Sequence, residues 1–468
     1  MSFFWHDYET FGVNPRRDRP AQFAGIRTDA ELNEIGAPLA LYCQPTPDFL
    51  PEPEACLLTG ITPQHCLAHG VPEPAFADAI LAALAEPDTI GVGYNTLRFD
   101  DEVTRHLLWR NLQDPYAREW QHGNARWDLL DTVRAMHALR PQGLAWPRRD
   151  EDGLPSFRLE HLTAANGLAH EAAHDAVSDV RATIALARAV RAAQPRLWDF
   201  CLTLRSKHAV WQEIGQDRPF LHASAMYGSA RNHLALVWPL AMHPTNANEL
   251  IVWDLAHDPA ELESLNAADI RTRLYTRSED LPEGVTRLPI KTIHANRSPV
   301  VVANLRVLSD AQAAAAGIDL SAQLARVPEA RRVTPLLAGI WPDVYRREAL
   351  GPRDVDEALY DGFIGRADRQ RLDRQRREPG RAMSFDDARL DELAFRWRAR
   401  HHAALLTEAE RERWAEWRAA RLHHGAGGSL TLARYAERID ALYETADARG
   451  QAILEQLSDY AEQIAPPA

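Results

Sequence analysis

Lysine is almost missing from this chain. Of 53 basic side chains in 468 residues, only Lys207 and Lys291 are lysines; the rest are arginines. The pattern fits a codon bias toward Ala and Arg, so a retained lysine is a position the default did not choose. Cysteine is scarce as well. Cys43, Cys56, Cys66 and Cys201 form no CxxC pair and show no metal spacing. That excludes a disulfide framework and reads as reduced thiols of a cytoplasmic protein. No run of about 20 apolar residues occurs, which excludes a membrane-spanning helix. Residues 1–7 lack the basic start and long apolar stretch of a signal peptide. A positive balance is absent too: 66 acidic side chains outnumber the basic ones, for a formal charge of −13. This argues against coating nucleic acid through overall charge. It says nothing of a local basic groove, because charges more than about 8 Å apart are largely screened at physiological salt.

What is present is a globular composition, 46% hydrophobic and 25% charged, in a chain long enough for two or three domains. The acidity sits at the front. Residues 1–100 carry 14 acids and 5 bases, while residues 196–348 balance at 17 and 17. Apolar and aromatic runs at 3–7, 22–28, 39–43 and 89–94 predict strands. Helical spacing covers 75–84, 101–112 and an Ala-rich stretch at 176–193 that stops before Pro195. Strands alternating with helices predict an α/β domain with a mixed sheet over 1–195. Over 196–348, short apolar runs at 234–239, 249–255 and 300–305 between Pro, Asn and Gly turns predict a mostly β domain with some helix. From 351 to 468 the pattern is helical, at 386–404, 408–423 and 430–465, as in a helical bundle. A Gly-rich hinge lies at 425–428.

Three small groups of residues carry chemistry. Asp7 and Glu9, two apart on the first strand, point to the same face. Following four apolar residues, the two carboxylates repel unless a cation lies between them. A solvated edge pair is the plainer alternative. Asp100 precedes a helix, where capping is its ordinary role; Asp101 or Glu102 could cap instead. His174 and Asp179 form His-x4-Asp at the start of the Ala-rich helix, with Asp179 one turn in, on the face of Asp175. A solvated loop residue is the alternative for His174. Together, four carboxylates and one His suit a two-metal site, since Mg²⁺ prefers carboxylate oxygen. Two ions about 4 Å apart stabilise both the attacking and the leaving oxygen of a phosphodiester, and a neutral His can take a proton near pH 7.

The words around these residues carry a resemblance. They are FWHDYETFG at 4–12, DRPAQFA at 18–24, LTGITP at 58–63, GYNTLRFDDEVTR at 93–105, RWDLLD at 126–131, LPSFRLEHL at 154–162 and AHDAVSDV at 173–180. The chain resembles the His-containing branch of the DEDD exonuclease superfamily, and within it the bacterial exodeoxyribonuclease I family, over nearly its whole length. The resemblance implies a ribonuclease H-like α/β exonuclease domain with a mixed sheet (1–195), an SH3-like β domain (196–348) and a C-terminal helical domain (351–468), closing as a C-shaped clamp around single-stranded DNA. It implies a 3′→5′ exodeoxyribonuclease that releases nucleoside 5′-monophosphates by two-metal hydrolysis in DNA repair and recombination. The cofactor would be Mg²⁺, two ions per site, with Mn²⁺ as a substitute. Asp7, Glu9, Asp100 and Asp179 match the metal carboxylates, His174 the general base, and Arg158 a residue near the terminal nucleotide. Glu9, Arg105, Tyr116, Trp120, Arg134 and Lys207 match positions that meet the DNA. Arg140 and Arg218 lie near positions that bind the acidic, Phe-ended tail of single-stranded DNA-binding protein. A monomer with no membrane association is implied.

Two other readings differ from this one. Shorter relatives such as oligoribonuclease, ribonuclease T or a proofreading subunit share the carboxylates, but length argues against them. A non-catalytic single-stranded DNA-binding protein would be expected to have lost one of the five site residues, and all five are present.

Overall fold

Residues 2–10, SFFWHDYET, are rich in the aromatic side chains that favour a pleated strand, and they form strand β1 (Ser2–Thr10). Phe3, Phe4 and Trp5 are all buried, so both faces of the strand are covered and no apolar–polar alternation marks it. The computed structural model describes residues 1–168, 175–215, 217–346, 351 and 353–467. The chain divides into two units. One comprises Met1–Ala125, His170–Arg181 and Leu350–Ala468, the other Arg126–Ala169 and Ala182–Ala349.

In the first unit, β1 pairs antiparallel with β2 (Pro20–Thr28), which pairs antiparallel with β3 (Leu39–Tyr42). On its other side β1 runs parallel to β4 (Thr89–Gly93), from Ser2↔Thr89 to Trp5↔Val92. The sheet order is β3-β2-β1-β4-β5, with β5 (Ala125–Asp128) the segment on which the chain leaves this unit. The helices Glu73–Leu84 and Asp100–Arg110 bury Phe76, Ile80, Val103 and Leu107 in one cluster with Phe4, Tyr8 and Phe23. The odd-numbered residues of β1, which include Asp7 and Glu9, point to the other face.

The C-terminal helices belong to the same unit. Leu422, Tyr435, Leu454, Leu457 and Tyr460 share a core with Phe11, Phe49, Cys56 and Cys66. The long helix expected over 430–465 is two, Leu432–Tyr443 and Ala448–Ile464. Asp447 breaks it, because its side chain accepts from Gly450 N at 2.8 Å and starts a new helix. A further helix, Arg366–Arg377, was not foreseen. Leu372 is its one large apolar residue, so it shows no stripe to read. The hinge at 425–428 is a short turn in which Gly425 and Gly427 take positive φ.

The second unit holds an antiparallel sheet, β10-β6-β7-β8-β9, built from β6 (Phe220–Ala223), β7 (Leu234–Met242), β8 (Glu249–Asp254), β9 (Ile290–His294) and β10 (Val300–Val302). Pro239 lies inside β7, where the register shifts between Pro239 and Ala241, as a residue without a donor N–H requires. The strand expected over 300–305 stops at Val302, since Ala303 N turns to Glu213 Oε1 at 2.7 Å and Asn304 caps a short helix.

Candidate metal and nuclease site

The parallel ladder between β1 and β4 ends at Trp5↔Val92, while β1 runs on to Thr10. Asp7 and Glu9 therefore stand beyond the carboxyl end of β4, the usual place for a site on an α/β sheet. A register shift between Glu9 and Thr10 ends the regular pairing with β2 directly after the second carboxylate.

Asp100 opens the helix Asp100–Arg110 as its first residue, one position earlier than expected. The N-cap residue is Phe99, whose side chain makes no cap hydrogen bond, and neither Asp101 nor Glu102 takes the capping position expected of it. Asp101 is taken by Arg118 at 2.8 Å and Glu102 by Arg105 at 2.8 Å. Tyr8 N donates to Asp100 Oδ1 at 3.1 Å. Thr104 Oγ1 donates to the Asp100 carbonyl and lies 2.9 Å from the Tyr8 hydroxyl. The backbone between Asp7 and Glu9 thus orients Asp100.

Asp179 comes from the helix Ala176–Ala193. Asp175 starts that helix by accepting from Ser178 N at 3.1 Å, and Asp179 N bonds to its carbonyl one turn on. Gln22 ties this start to the sheet. Its Nε2 donates to Asp175 Oδ1 at 3.2 Å and its Oε1 accepts from Ala176 N at 3.4 Å. Gln22 is the residue of β2 paired with Glu9. The sequence reading passed over Gln22, although one polar residue within the apolar run at 20–26 was a signal.

Ligand oxygens of Asp7, Glu9 and Asp179 lie within 4.8 Å of one another. Burial, reinforced by the Asp100 and Asp179 carboxylates, holds the Asp7 carboxyl well above its usual range. Burial, with Asp7, Asp179 and Asp175, pushes Glu9 up to about 9. Carboxylates this close and this dry are stable as anions only beside cations. A set of hard oxygens, Asp100 adjoining, fits divalent ions of the Mg²⁺ type.

The other expected residues are distributed as follows. His174 lies outside the described residues. Trp120 is exposed, at 66%. Tyr116 is half-buried with the Arg105 guanidinium 5.3 Å from its ring centre. Arg105 was expected to reach a phosphate, but it is buried and engaged. Its Nε and Nη2 hold Glu119 at 2.8 and 2.9 Å, and its Nη1 holds Glu102 and the Tyr360 hydroxyl. These residues are all in the first unit. In the second, Arg134 bonds Asp131 at 2.8 Å, Arg158 and Lys207 are exposed, and Lys207 opens the helix Lys207–Ile214. Arg140 Nη1 donates to the Val307 carbonyl at 2.7 Å, and Arg218 Nη2 to that of Glu213 at 2.9 Å.

Comparison with known proteins decides the family. Residues 4–187 match the family model described as Exonuclease, 205–347 the Exonuclease I SH3-like domain and 353–464 the Exonuclease I C-terminal domain. Exodeoxyribonuclease I of Escherichia coli (strain K12) is 44% identical over 473 residues, covering 99% of this chain and 98% of that protein. The chain belongs to the exodeoxyribonuclease I family. The Haemophilus influenzae exodeoxyribonuclease I is also 44% identical, covering 91% of this chain and 92% of the relative. Exonuclease I from Methylocaldum szegediense superposes with a TM-score of 0.93 at 48% identity, covering 99% of each chain. Escherichia coli exonuclease I bound to a dA16 oligonucleotide superposes with a TM-score of 0.93 at 44% identity, covering 99% of this chain and all of that one. Another structure of Escherichia coli exonuclease I holds single-stranded DNA with zinc (TM-score 0.92, 42%), and a further structure is a complex of SSB, exonuclease I and an inhibitor (TM-score 0.90, 42%), each covering 99% of both chains. The exonuclease, SH3-like and C-terminal parts expected from the sequence are those of the exodeoxyribonuclease I family, whose members are DNA hydrolases.

Proposed function

We propose that this exodeoxyribonuclease degrades single-stranded DNA from the 3′ end, releasing nucleoside 5′-monophosphates, with two Mg²⁺ ions held by Asp7, Glu9, Asp100 and Asp179. Mn²⁺ is the expected substitute. The observation that carries this reading is the gathering of Asp7, Glu9 and Asp179 within 4.8 Å at the carboxyl end of β4. Mg²⁺ there supplies Lewis-acid stabilisation of charge developing on the phosphodiester. The chain's own residues do the rest. Tyr8 N and Thr104 fix Asp100, and Gln22 fixes the helix that carries Asp179. His174 takes the proton of the attacking water. As water bonds to phosphorus, the bond to the 3′ oxygen of the preceding nucleotide breaks. Trp120 offers a base-stacking surface that reads no sequence, suited to an enzyme that degrades any strand. Arg158 serves the terminal nucleotide, and Arg134 and Lys207 serve phosphates. Arg105 contributes by holding Tyr116 and Glu119 in place.

The domain limits 1–195, 196–348 and 351–468 are supported by the matches at 4–187, 205–347 and 353–464. The partner proposed beyond DNA is the acidic tail of single-stranded DNA-binding protein, at Arg140 and Arg218. We place the enzyme in the cytoplasm, as a monomer acting in DNA repair and recombination. One assay tests the activity: digestion of single-stranded DNA, duplex DNA and RNA, each with Mg²⁺ and with a chelator. The reading expects mononucleotides from the first substrate with Mg²⁺ alone. Equal digestion with chelator overturns it.

A further inference from the structure

Three consecutive strands of the second unit end in a row of ligand-type side chains. β7 and β8 pair in a register that sets Met242 opposite Leu250. One step on, just beyond β7, His243 N donates to the Glu249 carbonyl at 2.9 Å. On the other side of β8, Glu249 is the partner of His294, the last residue of β9. His243, Glu249 and His294 are therefore direct cross-strand neighbours at one end of the sheet, and such neighbours share a face.

Both imidazoles turn to the carboxylate. His294 Nε2 lies 2.6 Å from Glu249 Oε1, and His243 Nδ1 lies 3.5 Å from Glu249 Oε2. Thr245 N donates to His243 Nδ1 at 3.3 Å, with Thr245 Oγ1 3.4 Å away. A ring nitrogen that accepts carries the lone pair, so in the neutral ring no proton joins it to the Glu249 oxygen. A lone pair facing a carboxylate oxygen is unfavourable until a cation lies between them. The Tyr345 ring, 4.4 Å from that of His243 and itself against Trp341, holds this imidazole in place. Burial would raise the Glu249 carboxyl, but His294 foremost, then His243 and Arg297, hold it below its usual range, so it is an anion at neutral pH. All three side chains are partly exposed, and an ion from solvent can reach them.

Two imidazole nitrogens and one carboxylate are a donor set of zinc sites with three protein ligands and an open fourth position. Mg²⁺ takes oxygen ligands instead, so this row differs in kind from the carboxylate site of the first unit. It is also looser than the Asp7–Glu9–Asp179 set, whose oxygens lie within 4.8 Å of one another. Cross-strand Cβ atoms about 4.5–5.5 Å apart leave small side-chain rotations enough to close it on an ion at roughly 2.0–2.2 Å.

We propose that His243, Glu249 and His294 bind one Zn²⁺, which ties the ends of β7, β8 and β9 together in the SH3-like part. The ion takes the place of the proton between His294 and Glu249, which passes to solvent. Water fills the fourth position. The role is structural, since none of the three residues is assigned to DNA or to hydrolysis.

The test is zinc binding by the full chain, read by competition with a chromogenic zinc chelator. The background is Asp7→Asn with Asp179→Ala, which disables the carboxylate site. H243A, H294A and E249Q are added to it singly, and melting curves check that each folds. The background chain should hold one tightly bound Zn²⁺. Loss of a ligand-orienting partner alone costs about 10- to 100-fold in metal affinity, so H243A and H294A should each weaken binding by about 100-fold or more. Zn²⁺ should raise the melting temperature of the background chain and leave those of the two alanine variants nearly unchanged. E249Q keeps the shape of the side chain and carries the test if an alanine variant fails to fold; it should weaken binding about tenfold or more. A background chain that binds no zinc overturns the inference. Equal zinc affinity in the background chain and its variants also overturns it, and assigns the ion to other histidines.

Discussion

Glu9 shows how the site's chemistry is written into single residues. Its carboxyl is raised to about 9 by burial and by Asp7, Asp179 and Asp175. A carboxyl raised on folding binds more protons in the native state between its ordinary value, about 4.3, and 9. Metal-free stability therefore falls as pH rises through that window, by up to about 1.4 kcal/mol per pH unit for this group. Glu9→Gln should flatten that fall, raise the melting temperature of the metal-free chain at pH 8 and abolish digestion. Melting curves in chelator from pH 5 to 9 check this, and an unchanged slope counts against it. Gln22 acts through Asp175, so Gln22→Leu should lower activity about 10- to 100-fold, as loss of a ligand-orienting partner does. Much of that loss should return at high Mg²⁺, which titration of activity against Mg²⁺ reads. Asp7, Glu9, Asp100 and Asp179 were legible because their spacings survive in the chain. Gln22 and the Tyr8 N–H were not, since a backbone donor has no sequence signature and Gln22 works 153 residues away from Asp175.

At the scale of elements, β1 and the helix Ala176–Ala193 were readable because aromatic density and Ala-rich periodicity are local. The helix Arg366–Arg377 and the break at Asp447 were not, the first lacking a stripe and the second hidden inside an unbroken amphipathic pattern. The links between the front of the chain and the helix Ala388–His401 are also invisible in sequence. Arg400 bonds Asp48 at 2.7 Å and Asp356 at 2.6 Å, and Arg19 bonds Asp356 at 2.8 Å, with all four side chains buried. Burial alone would raise both carboxyls, but Arg400 foremost holds them below the usual range. A depressed acid stabilises the fold above its unfolded value, about 3.9 for Asp, and that contribution is lost as pH falls through the folded value. Arg400→Met leaves buried Asp48 without its ion-pair partner, while Asp356 keeps Arg19, and should cost about 3–5 kcal/mol. Urea unfolding at pH 7 measures the loss, and Asp48→Asn in the same chain should recover much of it, since Asp356 stays paired with Arg19. Trp120 belongs to an exposed turn, so Trp120→Ala should leave melting unchanged and weaken single-strand binding by about 1–3 kcal/mol.

For the whole molecule, the front-loaded acidity now has a physical account. Asp7, Glu9 and Asp100 belong to the carboxylate site. Asp48, Glu52, Glu54 and Asp78 pair with arginines of the C-terminal segment: Arg400, Arg438 for both glutamates, and Arg376. The charge of residues 1–100 is thus partly the complement of the chain's other end, with which those residues share a unit and a core. Net charge is a poor guide to the partner of such an enzyme, because a few unpaired cations and a carboxylate site decide it locally. The central claim is that these carboxylates perform metal-dependent hydrolysis from the 3′ end. It is tested most directly by giving the parent chain and Asp179→Ala a 5′-labelled single strand with Mg²⁺, with and without a 3′-terminal phosphorothioate. The account predicts mononucleotide release by the parent, protection by the phosphorothioate, and a variant that binds the strand but releases almost nothing. Digestion by Asp179→Ala at the parent's rate, or equal digestion of the blocked strand, would contradict it.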